Sequence, residues 1–169
     1  MKVRRLTGHR FQQRRIIADF ENSIQAAVHT ELPHTQLSNC YFHFCQSLWR
    51  RIQGLGLARP YARRRKLRKC LRKFMALGYL PVPLVRQNFF LHAGSQRTLR
   101  LVRRYPVLRD FITYVQANYI DGQYTPPSWN VYNRDNDNRT NNHVEGKDRE
   151  GRLQNRTAVR QSLYLCEHY

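Results

Sequence analysis

Residues 32 to 109 contain 17 Lys or Arg and no Asp or Glu, and this one-signed stretch constrains the fold more than any other feature of the chain. Cations packed so densely repel one another unless they spread over a solvated face or lie against a polyanion. The 169-residue chain carries a formal net charge of +19 at neutral pH, so the window accounts for nearly all of the surplus. Its acids lie outside: Asp19, Glu21 and Glu31 before it, and Asp110, Asp121 and six others after it. A phosphate backbone is the commonest partner of such a surface, and contact with a nucleic acid is expected here.

The rest of the composition excludes several classes. A hydrophobic fraction of 41% with 12% aromatics is too rich for a disordered basic arm. No run approaches the 18 or so apolar residues of a membrane span, and the amino-terminal residues MKVRRLTGHRFQQRR offer no apolar stretch to read as a signal peptide. The expectation is a soluble intracellular protein without a membrane partner. Cys40, Cys45, Cys70 and Cys166 form no regular framework and read as reduced thiols.

Within the cationic window, residues 63 to 77 predict a helix. Leu67, Cys70, Leu71, Phe74 and Leu77 recur at spacings of three and four, and Arg63, Arg64, Arg65, Lys66, Arg68, Lys69, Arg72 and Lys73 occupy the remaining arc. These eight are the candidate nucleic-acid-binding residues. A solvated helix whose charges contact nothing specific is the plainer reading, and the absence of acids in the window weighs against it. The run at 63 to 69 also has the form of a nuclear localisation signal, which points to the nucleus.

Elsewhere the pattern divides into segments. Residues 1–14 are basic and weakly patterned. Residues 15–18 are a short apolar run, followed by Phe20, Ile24, Ala27 and Val28 at helical spacing, and Pro33 ends that helix. Residues 36–40 read as a second strand, after which Phe42, Cys45, Trp49 and Ile52 mark a helix ending at Gly54 or Gly56. Strand, helix and strand at this spacing predict a parallel pair with a crossover helix, hence an α/β unit over residues 15–58. Residues 59–122 are helical throughout, with breaks near Pro83 and Pro106. Residues 123–169 comprise a proline-marked connection with aromatic anchors, a polar linker and a last helix with a poor apolar stripe.

Three features are able to carry chemistry: Asp19 at the end of the first strand, Cys40 with His43 at the end of the second, and Glu145 within Arg-Thr-Asn-Asn-His-Val-Glu-Gly. Singly, each has an ordinary explanation. Asp19 is a good N-cap for the helix after it. The Cys40-x-x-His43 spacing occurs in zinc sites, but four ligands are needed and no second pair is evident. Glu145 alone is a solvated glutamate.

Taken in order, Ile-Ile-Ala-Asp19-Phe-Glu-Asn-Ser-Ile, then Cys40-Tyr-Phe-His43-Phe-Cys-Gln-Ser-Leu-Trp-Arg-Arg-Ile-Gln-Gly-Leu-Gly, then Trp129-Asn-Val-Tyr132, then Arg139-Thr-Asn141-Asn142-His-Val-Glu145-Gly resembles the catalytic domain of Mutator-like element (MULE) transposases. The resemblance spans residues 15 to 146. It implies a partial ribonuclease H-like fold, about two parallel strands with a crossover helix, carrying an all-helical insertion. It also implies that Asp19 and Glu145 are the second and third carboxylates of an Asp-Asp-Glu site and ligands of Mg2+ or Mn2+. Cys40, His43, Asn141 and Asn142 then belong to motifs beside that site, and self-association follows as in transposases. Two such ions activate the attacking oxygen and stabilise the leaving one in phosphodiester cleavage, which requires hard carboxylates on rigid elements.

The chain also departs from that pattern. Eighteen residues precede Asp19 and none is acidic, so the first aspartate of the family and its strand are missing. After Gly146 the sequence reads Lys-Asp-Arg-Glu-Gly-Arg-Leu, where the family continues with an aromatic residue and a histidine. The expectation is a transposase fragment that binds DNA but is inactive alone. The alternative is a repurposed basic nucleic-acid-binding protein without metal chemistry.

Overall fold

The computed structural model describes residues 15–134. It is mostly helical, with one two-stranded parallel sheet, in keeping with the expected α/β class. Strand β1 (Arg15–Ala18) leads into helix α1 (Asn22–Glu31), which crosses to strand β2 (Gln36–Asn39). The register pairs Arg15 with Gln36 and Ala18 with Asn39. Helix α2 (Tyr41–Gly54) follows β2 with only Cys40 between them, and Gly56, with a φ of 69°, turns the chain at its end in a conformation that favours glycine.

The remainder is helical: α3 (Ala58–Arg63), α4 (Arg65–Ala76), a single 3-10 turn at Leu77–Tyr79, α5 (Val82–Ala93), α6 (Gln96–Arg104), α7 (Leu108–Val115) with a π-helical extension at Gln116–Ile120, and α8 (Pro126–Trp129). Helix α4 buries the seam its periodicity predicted, Leu67, Cys70, Leu71 and Phe74, together with Met75. Pro106 separates α6 from α7, because proline has no amide hydrogen to continue a helical ladder.

One core joins the two kinds of structure. Tyr41, Phe44, Cys45, Leu48 and Ile52 of α2 share a cluster with Leu67, Phe74, Phe89, Phe111 and Trp129. The first turn of α2, which carries the Cys-x-x-His motif, is therefore fixed from behind by the helical module. Trp129 is fully buried and stacks on Phe44 with centroids 4.2 Å apart and planes 6° from parallel. Its indole N–H donates to the carbonyls of Tyr119 and Tyr124, at 3.2 and 3.0 Å.

The sheet side is covered differently. Helix α1 has no buried residue although it carries Ile24, Ala27 and Val28, and Ile16 and Ile17 of β1 are only half-buried. Among the described residues β1 pairs with β2 alone. The start of α1 is tied instead to the loop after α7: Gln123 Nε2 donates to Asn22 Oδ1 at 2.8 Å, and the Tyr124 ring meets Phe20 edge-on at 4.7 Å.

Candidate functional site

Parallel strands that end level with one another bring their following residues together, and the carboxyl ends of such strands are where open α/β sheets place their ligands. Here those residues are Asp19 and Cys40. The Cys40 amide donates to the Ala18 carbonyl at 2.8 Å, which carries the ladder one step beyond β2. Cys40 then serves as N-cap residue of α2, and its carbonyl accepts from the Phe44 amide at 3.1 Å. The thiol is completely buried.

His43 stands in the first turn of α2, where its Nδ1 lies 2.7 Å from Asp19 Oδ1. The side chains are 19% and 40% exposed respectively, so the carboxylate remains open to solvent while the imidazole is largely enclosed. Asp19 does not cap α1. The N-cap residue is Glu21, without a side-chain cap hydrogen bond; the helix begins at Asn22, too far along the chain for Asp19 to occupy that position. The contact across the strand ends replaces the capping role expected from sequence.

A buried arginine closes the other side of β2. Arg134 donates from Nη1 to the Asn39 carbonyl and from Nη2 to the Ser128 carbonyl, each at 2.9 Å. Burial lowers its pKa to about 10, with the charge of Arg15 acting in the same direction and Cys40 opposing. Gln25 Nε2 reaches Asn39 Oδ1 at 3.4 Å, which links α1 to the same strand end. Arg134 thus pins the last described residues beside the sheet, next to the Asp19 corner. Nothing in its sequence surroundings marked it; its signal is visible only once Asn39 and Ser128 are neighbours.

Asp19, Cys40 and His43 are brought together at one end of the sheet, whereas Asn141, Asn142 and Glu145 lie outside the described residues. Among the described residues no three His, Cys, Asp or Glu side chains converge into a metal-holding group. Asp19 is a hard, accessible ligand, but one carboxylate with an oxygen turned to an imidazole supplies a fraction of what Mg2+ requires. The described residues therefore do not complete a metal centre, and no catalytic step is derived through one.

The candidate nucleic-acid-binding residues sit on α3, α4 and the bend between them. Arg63, Arg64, Arg65, Lys66, Lys69 and Lys73 are exposed, and Arg68 and Arg72 are half-buried. The guanidinium of Arg68 donates back to the Ala62 carbonyl at 3.1 Å, holding the bend. Cys70 lies where α4, α5 and α6 meet: its Sγ is 3.6 Å from Thr98 Oγ1, and its carbonyl is 2.9 Å from His92 Nε2. Burial raises the Cys70 pKa and lowers that of His92, so the pair stays neutral, as a thiol and an imidazole.

No helix among the described residues is long and apolar enough to cross a membrane. No protein-family model, curated protein or solved structure matches this chain.

Proposed function

We propose that this chain contributes part of the catalytic domain of a Mutator-like DNA transposase, with a ribonuclease H-like core, and that it binds DNA without cutting it alone. The observation that carries this reading is the Asp19 carboxylate at the carboxyl end of β1, held 2.7 Å from His43 on the helix after the adjacent parallel strand. An accessible carboxylate at a rigid strand end suits a hard divalent ion such as Mg2+ or Mn2+.

Further support comes from what surrounds it. Among the described residues β1 pairs with β2 alone and no residue of α1 is buried, which suits a sheet that continues past β1. Arg134, pinned to Asn39 and Ser128, holds the last described residue at the end of the sheet that also carries Asp19. Asp19 and Glu145 are two of the three carboxylates of such a site, and two alone hold a divalent ion weakly. The exposed cations of α4 supply affinity for phosphate, and the same basic run serves nuclear import.

Incubation of the full chain with supercoiled plasmid in Mg2+ or Mn2+ tests this. Binding without nicking is the expected result. Failure to bind DNA would contradict the reading, and so would nicking that Asp19→Ala and Glu145→Ala both abolish, because the centre would then be complete within this chain.

A further inference from the structure

Helix α6 (Gln96–Arg104) is the second cationic helix of the fold, and it was not among the nucleic-acid-binding candidates read from sequence. Its buried residues are Thr98 and Val102, whereas Arg97, Arg100, Arg103 and Arg104 are exposed. Successive residues advance by about 100° around a helix, so these four arginines occupy the arc opposite the buried edge. The helix is well defined at its start, where Ser95 Oγ accepts from the Thr98 amide at 3.3 Å. Arg103 and Arg104 in the last turn oppose its macrodipole favourably.

The contact of α6 with α4 runs through Thr98 and Cys70. On α4, Cys70 lies at one margin of the buried seam, and Lys66, Lys69 and Lys73 follow it around the helix on the exposed arc. At 100° per residue, Lys66, Lys69 and Lys73 fall beyond the Cys70 margin of the seam, the margin that Thr98 of α6 meets, whereas Arg68 and Arg72 fall beyond the opposite margin at Met75. The lysine row of α4 and the arginine row of α6 therefore border the same helix pair. Cys70 and Thr98 are both buried at that contact, so the two rows stand on the solvent side of helices that meet at one point of the core. No carboxylate occurs in the sequence of either helix.

We infer that the lysine row of α4 and the arginine row of α6 together form one docking face for the phosphate backbone of duplex DNA. This rests on the nucleic-acid reading above and adds a second helix and a preference for duplex. A helix of nine residues is about 14 Å long at 1.5 Å per residue, and duplex DNA offers one phosphate charge per roughly 1.7 Å, so both rows have anions to meet along their length. Neither helix exposes an aromatic ring: Phe74 is the one aromatic residue in the two, and it is buried. Proteins that prefer single strands use such rings as stacking platforms. Lysine and arginine contacts to phosphate position a duplex without reading its sequence.

The test is the salt dependence of binding, measured by fluorescence anisotropy with the full chain on a duplex and on a single strand of the same sequence. Each neutralised phosphate contributes about 0.9 to the slope of log affinity against log salt on duplex DNA. The triple change Arg100→Ala, Arg103→Ala, Arg104→Ala is expected to reduce the slope by about 2 to 3, as is Lys66→Ala, Lys69→Ala, Lys73→Ala. Arg100→Lys, Arg103→Lys, Arg104→Lys should retain the slope because it retains the charge. An unchanged slope in the α6 alanine variant, alongside a reduced one in the α4 variant, would overturn the shared face and leave nucleic-acid binding standing. Loss of binding in the lysine variant, or equal affinity for the single strand, would also overturn the inference. A flat slope in the unaltered chain would instead remove the nucleic-acid reading itself.

Discussion

The carboxylate of Asp19 and the imidazole of His43 meet at 2.7 Å across the ends of two parallel strands. The contact depends on three local facts: β1 and β2 end in register, Cys40 alone separates β2 from α2, and α2 is anchored by Phe44 and Leu48 in the helical core. In the proposed function His43 is then a positioning residue for Asp19. Replacing His43 with Ala is expected to leave the far-ultraviolet circular dichroism unchanged and to weaken Mn2+ binding by about tenfold or more, in line with the loss of outer partners of metal-binding groups. Isothermal titration with Mn2+ measures this, and an unchanged affinity would show that Asp19 needs no such support.

Gly78 packs against the ring of Tyr41, and a Cβ there would stand 2.5 Å from Cε2 of that ring. The ring cannot swing aside without cost, because its hydroxyl donates to the Met75 carbonyl at 2.8 Å and the side chain is buried. The Gly78 carbonyl also accepts from the Val131 amide at 2.9 Å. Gly78→Ala should destabilise the fold by about 1–3 kcal/mol through overpacking, read by urea unfolding. An unchanged midpoint would mean that Tyr41 is not held where described.

Trp129 joins α8 to α2 through its stacking on Phe44 and to the end of α7 through the Tyr119 carbonyl. Truncation to Ala removes a fully buried ring and leaves two carbonyls without their donor, so a loss of about 3–5 kcal/mol is expected. Trp129→Phe keeps most of the packing and should lose less. Equal losses in the two variants would assign the effect to the indole hydrogen bonds instead of the ring.

His92 gives the stability a pH dependence. Burial lowers its folded pKa, with the Lys73 charge in the same direction and the Cys70 carbonyl opposing. The unfolded chain, titrating near 6.5, then binds the proton more readily than the folded one. The resulting stability is present above about pH 6.5 and falls as the pH drops from there toward the lowered folded value. Urea unfolding between pH 7.5 and 5 should show this fall, and it should be smaller in His92→Gln. An identical pH profile in that variant would remove His92 as a source.

Much of the fold is legible in the sequence because its signals are local. The strand at residues 15–18, the seam of α4 and the break at Pro106 follow from apolar spacing and from proline, which act within a turn or two. The parallel pairing follows from the length of the crossover. The Asp19 to His43 contact is not local: either residue alone reads as an ordinary cap or a packed histidine, and only the register of β1 on β2 brings them together. Arg134 is hidden for the same reason, since its partners are backbone carbonyls that any sequence possesses. The arginines of α6 share one arc of their helix only because of its periodicity, since apolar residues interrupt them in the sequence, unlike the mostly basic run at residues 63–69.

In the proposed function Asp19 and Glu145 serve one divalent metal site, and paramagnetic broadening by Mn2+ in the isotope-labelled full chain tests this most directly. Broadening is expected at the amides of Asp19, Cys40 and His43 and around Glu145 at the same Mn2+ concentration, with Asp19→Ala and Glu145→Ala each abolishing both sets together. Broadening confined to one of the two regions, or unaffected by either substitution, would contradict a shared site.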